Sequence, residues 1–157
     1  MFFGREKGER EKRGRHRAIR RAIRSVLVVE DEPLVAFDNE HVLTQAGYRV
    51  AATVNDFDHA IAVIDRDVVD LIVADIRLQG DKTGLDVARH AHAGGLPVLL
   101  VTGACPVDAR PLALGCLAKP HAPRDLLAAI GVVDALLRGA PMPRMPAGLH
   151  LFRRDAA

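Results

Sequence analysis

The chain is poor in the residues that mark several protein classes. It has no tryptophan, one tyrosine and only two cysteines, Cys105 and Cys116. Two isolated cysteines make neither a metal-ligand spacing nor a disulfide framework, so free thiols are expected. His41, His59, His90, His92 and His121 show no ligand spacing either, and residues two apart, such as His90 and His92, cannot share a helix face. No apolar run reaches the ~18 residues a membrane span needs. The charged N-terminus lacks the apolar stretch of a secretory signal. These absences argue against membrane insertion and secretion, and the expected location is the cytoplasm. There is no internal repeat.

What is present is charge of uneven distribution and a patterned apolar half. The net charge of +2 divides into +7 over residues 1–24 (ten Arg or Lys, three Glu) and −5 over residues 25–157. The first 24 residues have too few apolar side chains to offset the entropy of ordering. They read as a basic, disordered leader, with Arg17–Arg24 a candidate helical lead and non-specific nucleic-acid or acidic-lipid binding as the functional alternative. Residues 139–157 hold three prolines and read as a loose tail. Between them, 25–138 forms the folded unit.

Within that unit, short apolar runs alternate with amphipathic stretches. Val26–Val29, Tyr48–Thr53, Asp70–Ala74, Pro97–Val101 and Cys116–Ala118 read as strands, several of them apolar throughout, as expected of strands buried on both faces. Pro33 suits a first helical turn, and the pairs Leu34/Val35 and Val42/Leu43 predict one helix face, with Gly47 closing the helix. Further helices are predicted over Asp56–Asp65, Gly84–His92 and Pro123–Leu137, with Ile76–Thr83 a loop. Strands alternating with helices imply a parallel sheet covered on both sides.

In such a sheet all C-terminal strand ends lie on one edge, where ligands bind. Glu30 and Asp31 follow the first strand, Asp75 the third, Thr102 the fourth and Lys119 the fifth. Crowded carboxylates repel, and a cation relieves them. Hard oxygen donors without His or Cys suit Mg²⁺, Mn²⁺ or Ca²⁺, and Mg²⁺ keeps room for phosphate oxygens. Asp75 is then a carboxylate nucleophile able to form an acyl phosphate, with Lys119 and Thr102 placed to meet phosphoryl oxygens.

The strings VLVVEDEPLVA, DLIVADIRL, PVLLVTG and CLAKP, in that order, resemble the receiver domain of two-component response regulators over about Ser25–Leu137. The resemblance implies an α/β, flavodoxin-like, doubly wound five-stranded parallel sheet of order 2-1-3-4-5. It implies Asp75 as phosphoacceptor, Asp31 as a direct Mg²⁺ ligand, Glu30 acting through water and the Arg77 backbone carbonyl completing the metal shell. Thr102 would be the switch hydroxyl, and Lys119 would contact the phosphoryl group and enter a cis bond to Pro120. The expected donor is a histidine kinase or histidine phosphotransfer protein, and the output an unknown downstream protein.

The sequence also departs from that family. Gln79 stands where a proline is usual, four residues after the acceptor, and Gly84 lies nine residues on rather than eight. Cys116 occupies the position of the switch aromatic, three before Lys119. The sixteen residues between Thr102 and Lys119 include Pro106 and Pro111, so the fourth helix should shrink to a turn or loop. The leading expectation is a stand-alone, monomeric or weakly dimeric signalling switch, with no enzymatic output beyond its own phosphorylation and slow dephosphorylation. Only nineteen residues follow Arg138, which disfavours a DNA-binding domain. A phosphorylation-independent interaction module is the alternative. A phosphatase ranks low, because Arg77 stands where such enzymes place a second acid.

Overall fold

The computed structural model describes residues 21–152. Six strands form one sheet in the order β2-β1-β3-β4-β5-β6. They are β1 (Ser25–Val29), β2 (Arg49–Val54), β3 (Leu71–Ala74), β4 (Val98–Thr102), β5 (Gly115–Ala118) and β6 (Leu149–Leu151). The helices are α1 (Pro33–Gln45), α2 (Phe57–Arg66), α3 (Gly84–Ala93) and α4 (Pro123–Arg138). Each end of a predicted strand, and of the helices with predicted bounds, falls within one residue of its pattern. The first five strands are parallel, in the doubly wound order expected.

Alternation along each strand sorts the core into two layers. Val26, Val28, Val73, Leu99, Val101 and Leu117 pack on one face with Leu43 of α1 and Leu126, Ile130 and Val133 of α4. Leu27, Val29, Ile72, Val98 and Leu100 pack on the other with Ala60 and Val63 of α2 and Val87, Ala88 and Ala91 of α3. Local chemistry sets the helix starts. Asp56 accepts the His59 amide at 2.8 Å ahead of α2. A capping box of Thr83 and Asp86 opens α3.

The structure corrects several expectations. Leu34 does not share the buried face of α1 and is 80% exposed. That face carries Ala36, Asn39 and Leu43, and at about 100° per residue Leu34 sits on the opposite side from Leu43. No helical lead appears in Arg21–Arg24. Ile23 is instead fully buried, its amide held by Asp134 Oδ1 at 2.8 Å, and Arg21 lies over the Tyr48 ring. Residues 1–20, the bulk of the expected leader, lie outside the described residues.

The sheet has a sixth strand where a loose tail was expected. β6 runs antiparallel to β5, pairing Gly115 with Leu151 and Leu117 with Leu149. Gly148 makes the turn with φ 81°, and its carbonyl accepts the Ala118 amide at 2.9 Å. Gly115 lets the strand close in, since a Cβ there would strike the His150 carbonyl. The physical reason is the edge of β5, whose backbone groups need partners.

Between β4 and β5 the crossover has one 3₁₀ turn, Val107–Ala109, so the predicted loss of the fourth helix is observed. This segment folds back over the sheet and joins Cys105 to Cys116 in a disulfide, with Cα atoms 6.2 Å apart. The expected free thiols are thereby corrected. Sequence spacing carried no sign of the pairing because the fold, not the spacing, brings Cys105 over β5.

Candidate functional site

The C-terminal strand edge gathers the predicted residues. Glu30 follows β1, and its amide donates to the Val54 carbonyl at 2.9 Å. Asp75 follows β3, and its amide donates to the Val29 carbonyl at 2.9 Å, which extends the ladder one step and fixes the carboxylate. Lys119 follows β5, and its amide donates to the Thr102 carbonyl at 2.9 Å. Glu30 is 3% exposed and Asp75 6%.

Two buried carboxylates need compensation. Lys119 Nζ supplies it, donating to Glu30 Oε1 at 2.8 Å and to Asp75 Oδ2 at 3.1 Å. Burial, with the Asp75 charge beside it, raises the Glu30 carboxyl to about 7 against the opposing pull of Lys119. Burial alone would lower the Lys119 ammonium, but the hydrogen bonds and charges of Glu30 and Asp75 outweigh it and hold it above its ordinary value.

Glu30, Asp31, Glu32 and Asp75 each offer a carboxylate oxygen within 4.8 Å of one another. Four oxygen donors with no nitrogen or sulfur ligand fit a hard divalent cation. Glu32 belongs to this cluster, although its sequence position reads only as a helix-start acid. It precedes Pro33 in extended backbone and makes no capping hydrogen bond. Its adjacency to Glu30 and Asp31 at a strand end was the available signal.

The remaining predicted residues are less engaged. The Arg77 amide donates to Asp75 Oδ1 at 3.3 Å. Thr102 is buried but bonded to Ala104: its Oγ1 donates to the Ala104 carbonyl at 3.2 Å and accepts the Ala104 amide at 3.3 Å. The Lys119–Pro120 bond is cis, as the resemblance implied.

The departures in the β3–α3 loop leave Asp75 in register. Gln79 donates its amide to the Asn55 carbonyl at 3.0 Å, and Gly80 takes φ 85°. Gly84, one residue later than the family spacing, abuts the Asp75 carbonyl so closely that a Cβ would collide with it. Its amide donates to the Ile76 carbonyl at 2.8 Å. The extra residue is absorbed in the loop.

Residues 26–131 match the family model described as the response regulator receiver domain. The chain belongs to that family. This receiver domain is 35% identical over 122 residues to the sensory transduction protein RegX3 of Mycolicibacterium smegmatis, covering 74% of this chain and 52% of that protein. It is 28% identical over 121 residues to the transcriptional regulatory protein PdtaR of Mycobacterium tuberculosis, covering 73% and 58%. The chain thus spans about half the length of the curated relatives it matches. Among solved structures, it superposes on the signal receiver domain of a modulated diguanylate cyclase from Desulfovibrio desulfuricans G20. The TM-score is 0.65 at 28% identity, covering 74% of this chain and 97% of that one. The family assigns the protein to two-component signalling. Among the described residues, no helix is long and apolar enough to cross a membrane.

Proposed function

We propose that this receiver is a phosphorylation switch in which Asp75 accepts a phosphoryl group from the phosphohistidine of a histidine kinase or histidine phosphotransfer protein, with Mg²⁺ beside it. One observation carries the reading: Lys119 Nζ bridges Glu30 and Asp75 at 2.8 and 3.1 Å within the four-carboxylate cluster. A structural ion pair needs one carboxylate; a cluster of four with a single ammonium has capacity for a cation and an anion together.

Asp31 and Asp75 would hold the ion directly in this reading, with Glu30 acting through water and the Arg77 carbonyl as a further ligand. Bound there, Mg²⁺ neutralises charge on the phosphoryl oxygens. An Asp75 carboxylate oxygen attacks phosphorus, the P–N bond breaks, and the imidazole nitrogen keeps the electron pair. Lys119 shifts from Glu30 toward the new phosphoryl group. Thr102 exchanges Ala104 for a phosphoryl oxygen. The output is protein–protein contact in the cytoplasm by a monomer or weak homodimer, not turnover of a substrate. Acetyl phosphate with Mg²⁺ should give a retarded Phos-tag species that Asp75→Asn lacks. An equal species in that variant would defeat the proposal.

A second reading is a receiver that binds its partner regardless of phosphorylation. Its support is Cys116 in the aromatic position, tied into a disulfide rather than free to change rotamer. Partner affinity unchanged by Asp75→Ala and by beryllofluoride would favour it.

A further inference from the structure

After Thr102 the chain crosses the sheet face that carries Val98, Leu100 and Cys116. Over Gly103–Asp108 little holds it there. None of these residues is buried, and Val107 is 76% exposed. The hydrogen bonds are local. Ala104 is bound to Thr102, the Ala109 amide donates to the Pro106 carbonyl at 3.2 Å, and the Arg110 amide to the Val107 carbonyl at 3.3 Å. The residues that seat the segment in the core come later, at Ala109, Ala113 and Leu114. Among the described residues, then, Gly103–Asp108 makes no long-range hydrogen bond or ion pair, and its covalent attachment is the bond from Cys105 to Cys116, eleven positions apart.

The two partners differ in access. Cys105 is exposed, whereas Cys116 lies inside β5 and is 2% exposed. Cys105 stands three residues after Thr102, and Cys116 three residues before Lys119. The bond therefore joins the two stretches of chain that lead to Thr102 and Lys119.

We propose that Cys105 and Cys116 are a reversible redox site, a dithiol–disulfide couple that fixes Gly103–Asp108 when oxidised and frees it when reduced. The proposal rests on the reading above only for its cytoplasmic setting, where disulfides are typically transient, catalytic or redox-sensing. The exchange partner is a dithiol of the oxidoreductase class. Its thiolate attacks the exposed Cys105 sulfur, the Sγ–Sγ bond breaks, and the Cys116 sulfur leaves as a thiolate that takes up a proton. The partner's second thiol then displaces Cys105 and closes the partner's own disulfide. Two electrons and two protons pass to the protein, and oxidation reverses each step. Reduction removes this covalent tether from the segment that holds Thr102 against Ala104, so the redox state sets how freely that hydroxyl can turn.

The test uses the full chain equilibrated in dithiothreitol buffers of graded redox poise, without Mg²⁺ or phosphodonor. Thiols are trapped with a maleimide and counted by mass, and hydrogen exchange is followed by peptide. Both thiols should appear together in one reversible transition. Amides of 103–108 should exchange about tenfold or more faster in the reduced protein, with the central strands unchanged. A Cys105→Ser/Cys116→Ser variant should match the reduced protein in either buffer. Thiols that stay unpaired under oxidising conditions, or equal exchange of the segment in both states, would overturn the proposal. Neither readout involves Asp75, so failure of phosphotransfer and failure of the redox site are seen separately.

Discussion

Replacing Glu30 with Gln tests the electrostatics of the pocket directly. The wild-type carboxyl is raised by burial from 4.5 to about 7. Its neutral form is therefore favoured in the folded state, an advantage fully present below pH 4.5 and lost as pH rises through about 7. Each pKa unit is worth about 1.4 kcal/mol, so the ionised group costs the fold about 3 kcal/mol once the pH is well above 7. Gln keeps the shape and an oxygen for the Lys119 ammonium but never ionises. In EDTA, urea unfolding of both proteins from pH 5 to pH 8 should show Glu30→Gln gaining on wild type by roughly 2–3 kcal/mol across that range. A stability difference that stays flat with pH would refute the account of why Glu30 is perturbed.

Three further outcomes follow from the same geometry. Mg²⁺ should raise the melting temperature of wild type, because a ligand that binds only the folded state stabilises it, and Asp31→Asn should lose most of that rise in calorimetry. Gly84→Ala places a methyl group against the Asp75 backbone carbonyl and should cost about 1–3 kcal/mol in urea unfolding, with weakened phosphorylation; an unperturbed variant would show that the loop yields. Burial, together with the nearby Lys119 charge, holds His121 below its ordinary 6.5, so folding favours its neutral form, and that contribution to stability is lost as pH falls below about 6.5. His121→Gln should flatten that part of the stability profile between pH 7 and pH 5, measured by the same urea titration.

The sequence alone pointed to the parallel sheet, because apolar runs such as Val26–Val29 and Leu71–Ala74 suit strands covered on both faces and alternate with amphipathic helices. It also determined which edge gathers these polar groups, since Glu30, Asp31, Asp75 and Lys119 follow strands, Thr102 ends one, and parallel strands end together. The two prolines at 106 and 111 were enough to remove the fourth helix. Tertiary structure alone decided the rest. The strand Leu149–Leu151 exists because the edge of β5 needed partners, a demand invisible in a proline-rich tail. Glu32 joins the acidic cluster through the path of the chain after β1, not through its residue type. Cys105 meets Cys116 because the β4–β5 segment turns back across the sheet, and Ile23 is buried because its side chain joins the core layer while Asp134 on a distant helix accepts its amide. Local pattern reports what a segment can bury; which distant segments meet is settled only when every exposed edge and backbone polar group has found a partner.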